Sequence, residues 1–292
     1  MFQNAYQGGP AVEIFTTQGK SPLASWKTSG SIQKVYEKSV KGYIYVLDSG
    51  LCKMQLPKDE KSTLGIVQPY MVFQVYLPEG MNLHLELGIT DNSKSKRRLI
   101  FHSGAKEIVT NPLHARIPLD CFRRGEWVNL AIDVLSFVHE CFKGYSFRSI
   151  DSIYLTSHCK LRRIYSMKSP ILETDVAEDI EYLELSGYER PPRALDFPPG
   201  VFYKNQLVFL ARVQMLIQES ASQQSATEAS PEQAKKAKAA PVAFGRHVKE
   251  EVKEVTQKRL SQRGNPVLKQ INKVTLGADF ADEGSSNASG PS

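Results

Sequence analysis

Two arginine doublets, Arg97-Arg98 and Arg162-Arg163, are the residues of this 292-residue chain with the most chemistry to offer. Both sit inside strand-like apolar runs, Lys96-Arg97-Arg98-Leu99-Ile100-Phe101 and Cys159-Lys160-Leu161-Arg162-Arg163-Ile164-Tyr165. Successive side chains of a strand point to opposite faces, so each doublet is expected to turn one guanidinium inward and one outward. The inward member needs a carboxylate, because an unpaired buried guanidinium is costly. Asp91 and Asp151 are the candidate partners. The outward members, with Arg123, Arg124, Lys160 and the flanking Lys94 and Lys96, either solvate a face or form a docking surface for an acidic partner. The candidate partner-binding set is therefore Arg97, Arg98, Arg123, Arg124, Lys160, Arg162 and Arg163.

Other chemistries find less support. Gly-x-Ser-x-Gly, P-loop and His-Glu-x-x-His patterns are absent, and Gly8-Gly9-Pro10 does not follow a strand as a dinucleotide turn would. His84, His102, His114, His139, His158 and His247 lack metal-ligand spacing, and Cys52, Cys121, Cys141 and Cys159 contain no Cys-x-x-Cys pair. No catalytic, metal or cofactor site is expected. Asp48, Asp91, Asp133 and Asp151 read as turn caps or arginine partners rather than calcium ligands. Trp26 and Trp127 could form a sugar-binding platform, but core packing is the stronger reading. RNA binding would add exposed aromatics among the arginines, and no RNP-type strand is visible.

The elements that must position these residues are short. Tyr43–Leu47, Met71–Leu77, Leu83–Leu87, Val128–Ile132 and Ile153–Thr156 are rich in β-branched and aromatic residues and read as strands. Pro57-Lys58-Asp59-Glu60, Pro78-Glu79-Gly80, Asp91-Asn92-Ser93 and Arg124-Gly125 supply turns between them. One short helix is expected near Leu135 to Phe142, with Leu135, Val138, His139 and Phe142 on one face. The pattern is an all-β domain, an antiparallel, jelly-roll-like β-sandwich over residues 1–168.

Beyond it, residues 169–200 read as an acidic, Pro-rich connector, and the apolar run 201–218 as a docking helix with a weak amphipathic signal. Residues 219–292 read as a mostly disordered tail in which 248–260 could form a short helix. Residues 1–168 hold 22 Lys and Arg against 14 Asp and Glu, so the basic character of the chain resides in the sandwich. Such a surface favours nucleic acid, anionic membranes or acidic proteins such as tubulin. The N-terminus lacks the pattern of a secretory signal, and no apolar run approaches the roughly 20 residues that span a bilayer. An intracellular setting without membrane insertion is expected.

The order of several segments carries a resemblance. Met1-Phe2-Gln3-Asn4-Ala5-Tyr6-Gln7-Gly8-Gly9, Leu56-Pro57-Lys58 with Thr63-Leu64-Gly65-Ile66, Arg97-Arg98, Trp127-Val128-Asn129-Leu130 and Cys159 to Tyr165 together resemble the cilia- and flagella-associated protein 20 domain family over residues 1–168. The resemblance implies a β-sandwich acting as a structural part of the axoneme, the founding member lying at the inner junction of doublet microtubules. It implies no catalytic residue, and places Arg97, Arg98, Arg162 and Arg163 at family positions without saying which touch a partner. The expected function is that of a non-enzymatic structural or interaction protein of the cilium or flagellum, within cytoplasm and cytoskeleton, whose basic sandwich meets tubulin, microtubules or ciliary junction proteins. The extension would hold a further partner. A nuclear or RNA-linked adaptor and a carbohydrate-binding module stand as alternatives.

Overall fold

Alternating burial fixes which side of each strand faces the core. In the strand Leu83–Asp91 every odd residue is buried and every even residue is half-exposed, as a one-sided sheet requires. The computed structural model describes residues 1–2, 7–119, 122–174 and 185–228. These belong to one unit, Met1–Glu228. The strands are β1 (Ala11–Thr16), β2 (Lys27–Ser29), β3 (Ile32–Glu37), β4 (Gly42–Leu56), β5 (Tyr70–Tyr76), β6 (Leu83–Asp91), β7 (Lys96–His102), β8 (Val109–Thr110), β9 (His114–Pro118), β10 (Trp127–Asp133), β11 (Phe147–Met167) and β12 (Lys204–Val208). Helix α1 (Val134–Cys141) follows β10, and α2 (Leu210–Glu228) follows β12. The fold is all-β, as expected, and its antiparallel ladders are joined by two parallel pairings, β7 with β9 and β10 with β12.

All twelve strands form one sheet that curls over on itself through β11. The first half of this 21-residue strand pairs with β6 and its second half with β5, while β4 and β1 line its opposite edge. Register shifts between Ile150 and Ser152, and again between Leu161 and Arg163, mark the bulges that let it bend. One layer is then β4, β11, β6, β7 and β9, and the other is β1, β11, β5, β10 and β12. Phe73, Val75 and Leu130 of the second layer meet Leu83, Leu85 and Leu155 of the first in the core between them.

Helix α1 closes one end of that core. Asp133 caps it, accepting from the Ser136 amide at 3.1 Å. Its buried residues are Val134, Phe137 and Val138, with Phe137 edge-on to Phe101 at 5.0 Å, whereas Leu135 and His139 are exposed. The face expected from sequence was therefore rotated by about one residue. Both tryptophans are buried, each only 4% exposed. Trp26 packs on Phe15, and Trp127 on Tyr76 and Phe197, so neither offers the flat exposed ring a sugar platform needs.

The chain beyond residue 168 differs most from its sequence reading. The expected helix over 201–218 is a strand, β12, followed by α2. Parallel pairing of Val128–Ile132 with Lys204–Val208 buries Leu207 and Val208, a gain that a helix with a weak amphipathic face could not match. Helix α2 extends past 218 to Glu228, and its Leu210 and Val213 join the main core. The rest of the proposed tail, 229–292, with its 248–260 helix and His247, lies outside the described residues, as do Cys121 and residues 175–184 of the connector. The connector's described part, by contrast, is packed: Ile171 and Leu172 are buried, and so is Phe197.

Candidate partner-binding surface

The first doublet behaves as strand alternation requires. Arg97 is 5% exposed, and its Nε donates to Asp91 Oδ2 at 2.7 Å. Its Nη1 donates to the Pro112 carbonyl, and the guanidinium lies 3.9 Å from the Tyr145 ring centroid. Burial raises the Asp91 carboxyl, but hydrogen bonds from Ser93, Arg97 and the Ser95 amide, with the Arg97 charge, bring it below the ordinary carboxylate range. Arg98 faces out, its side chain 55% exposed and 3.2 Å from Glu86. Asp151, the other candidate partner, pairs with no arginine among the described residues: it accepts from the hydroxyls of Thr90 and Ser149.

The second doublet departs from the expectation. Arg163 is buried and reaches Glu13 at 3.2 Å and the Ala194 carbonyl at 2.5 Å. Arg162, which should face solvent, is half-buried: it donates to Gln74 and to the Asp196 carbonyl, and lies 5.1 Å from the Phe197 ring. Burial, then repulsion from Arg163, pulls Arg162 down to about 10, with Asp196 opposing. Two causes combine. The bulge between Leu161 and Arg163 breaks strict alternation, and residues 194–197 lie across this face of the sheet. Neither guanidinium is open to a partner while that segment is in place.

The remaining candidates stand apart from one another. Lys160 Nζ is 2.7 Å from Glu37, which this bond, first among its causes, holds below the ordinary range against the opposing effect of burial. Arg123 lies 3.4 Å from Glu126, and Arg124 donates to the Met81 carbonyl, both on the turn before β10. The seven residues read from sequence therefore form no single patch.

One face does gather cations. On the outer side of the first layer, cross-strand registry sets Gln55, Tyr154, Glu86, Ile100 and Arg116 in one row and Ser152, Gly88, Arg98 and His114 in the next. A third row runs Lys53, Thr156, His84, His102. Lys53, Lys96, Arg98 and Arg116 are exposed, whereas Glu86, between them, is 15% exposed and already held by Arg98. His84 stands 5.5 Å from His102; burial first, and then the positive field of His102 and Arg116, hold it below its ordinary value against Glu86. A groove of about 390 Å³ runs beside Arg98, floored by Gly88 and walled by Tyr154, His114 and Thr63. The glycine makes the depth, since a Cβ there would lie 2.2 Å from Ser152 Oγ.

Sequence reading named only Arg98 and Lys96 from this face. Arg116 and Lys53 were missed because each stands alone on its strand; the period of two places them outward, but only the pairing of β9 with β7 brings Arg116 beside Arg98. Among the described residues no helix is long and apolar enough to cross a membrane.

Comparison with known proteins finds a matching family, and solved structures are among the further matches. The model of the CFA20 domain matches residues 1–182. A structure described as "Structural analysis of an exo-beta-agarase" aligns with a TM-score of 0.28 at 8% identity, covering 60% of this chain and 29% of that one. The chain thus spans under a third of that protein's length.

Proposed function

The chain belongs to the CFA20-domain family, a family of cilium- and flagellum-associated proteins, and from that premise we propose that it is a non-enzymatic docking protein of the cilium whose basic sheet face meets acidic tubulin or an acidic junction protein. The observation that carries this reading is the outer face of β4, β11, β6, β7 and β9. Lys53, Lys96, Arg98 and Arg116 share it; Glu86 between them is held by Arg98, while Asp151 and Glu60 line the adjoining groove. A rigid sheet presents these charges at fixed spacing, so little order is lost on docking. Their sign steers an acidic partner toward the face and weakens the complex as salt rises. Family membership supports the axoneme as the setting in which such a partner is met. A tagged full-length chain at native expression in a ciliated cell tests the reading: it should decorate the axoneme, whereas confinement to the nucleus would overturn it in favour of the adaptor.

A further inference from the structure

The opposite face of the sandwich reads main chain. On β5 and β11, three side chains meet three successive carbonyls: Arg163 donates to Ala194 O at 2.5 Å, Gln74 to Leu195 O at 2.9 Å and Arg162 to Asp196 O at 3.3 Å. Phe197 then enters beside Trp127 and Tyr203, at 5.9 Å and 4.6 Å between ring centroids. Asn129 of β10 donates to the Asp196 carboxylate at 3.2 Å. Carbonyl contacts hold any extended segment, while the acidic and aromatic side chains select one; surfaces that recognise peptides divide the work in the same way.

Two observations separate this arrangement from ordinary packing. The reading residues, Gln74, Asn129, Arg162 and Arg163, all lie within the span matched by the family model, and the segment they read lies beyond it. In addition, two buried polar atoms on the same face, Asn129 Oδ1 and Tyr165 Oη, have no partner among the described residues. Both residues are 0% exposed. Leaving a buried polar atom unmet is costly, and residues 194–197 leave part of the face's hydrogen-bonding capacity unused.

We propose that this face is a peptide-docking site which residues 194–197 occupy in cis. Its partner is an extended segment of another protein, with an acidic residue followed directly by an aromatic one, and with a hydroxyl or amide side chain that meets Asn129 and Tyr165. Asn129 and the Tyr203 hydroxyl, at 3.2 Å and 2.6 Å from the Asp196 carboxylate and aided by the Arg162 charge, favour the acidic residue, and the rings of Trp127 and Tyr203 the aromatic. Because the partner must displace the cis segment, its apparent affinity falls in proportion to the fraction of chains with an open face.

The test uses the full-length chain carrying Asp196→Ala and Phe197→Ala, with a fluorescein-labelled synthetic peptide of residues 190–201 as probe in fluorescence anisotropy. The released variant should bind the probe at least about tenfold tighter than the wild type, in which the face is filled. A probe with alanine at the phenylalanine position should lose that binding, as should the released variant with Gln74→Leu added. Should the double substitution fail to fold, Phe197→Leu, which keeps an apolar side chain against Trp127, carries the same comparison. A folded variant that binds no better than wild type, that binds both probes equally, or that dimerises without capturing the probe overturns the proposal.

Discussion

Arg97 and Arg98 are adjacent, yet they should fail in opposite ways. Arg97→Ala leaves the Asp91 carboxylate, 0% exposed, without its cation and with only Ser93 and the Ser95 amide as donors. Removing one partner of a buried pair costs about 3–5 kcal/mol, and loss of the stack on Tyr145 and Phe142 acts in the same direction. For a domain of this size each kcal/mol lowers the melting temperature by about 2–4 °C, so a drop of about 6–20 °C is expected. Arg98→Ala removes only a half-exposed pair worth about 0.2–1 kcal/mol, a drop of no more than about 4 °C. Its effect belongs in partner binding and in the salt dependence of that binding. Calorimetry of both variants, with Asp91→Ala and the double variant to close the cycle, measures the difference. The two single substitutions at the buried pair should cost much more together than the double variant does. Because the Asp91 carboxyl is held low in the fold, its contribution is complete above the unfolded value near pH 4 and is lost as pH falls through the folded value. An Arg97→Ala protein that melts within about 2 °C of wild type, or an Arg98→Ala protein that melts as low as Arg97→Ala, would refute the assignment of inward and outward roles.

Other consequences follow from single sites. Burial pushes the Asp133 carboxyl up to about 6 against the hydrogen bonds of Ser136 and Leu135, so the folded state holds a proton that the unfolded state releases. Its contribution to stability should decline between about pH 4 and pH 6 and level off above, and Asp133→Asn should flatten that decline in urea titrations at each pH. Phe137→Ala, at a fully buried position on α1 against Phe101, should cost about 3–5 kcal/mol by chemical denaturation. Gly30 has φ 86° and its absent Cβ would lie 2.9 Å from Cys52 Cα, so Gly30→Ala should lose at least about 1–2 kcal/mol in the same assay, with no flexible side chain to absorb the clash.

Much of the first layer was legible because its strands are long enough to show their period. Leu83–Leu87 alternates cleanly, and the Arg97-Arg98 doublet inherits its inward and outward members from the same period, with Asp91 on the neighbouring turn as the carboxylate. The second doublet was not legible. Its cover comes from residues 194–197, about thirty positions downstream in an irregular segment, and no local pattern joins the two. A bulge, moreover, leaves no period to read at Arg162. The apolar run at 201–218 misled for a related reason. Its hydrophobic residues serve two partners, β10 through Leu207 and the main core through Leu210 and Val213, so no single helical stripe emerges. Long-range pairing also hid the basic face. Arg116 and Lys53 are unremarkable where they stand in sequence and become part of a surface only through the β7–β9 and β4–β11 ladders.

The measurement closest to the central claim is co-sedimentation of the full-length chain with microtubules, alongside an Arg98→Glu, Arg116→Glu variant. The wild type should bind at about 50 mM ionic strength and weaken as salt rises to about 300 mM, and the variant, still folded and melting only a few degrees lower because the Arg98–Glu86 pair is lost, should bind at least about tenfold more weakly at low salt. A wild-type chain that stays in the supernatant at low salt, or a charge-reversed chain that pellets as well as the wild type, would contradict it.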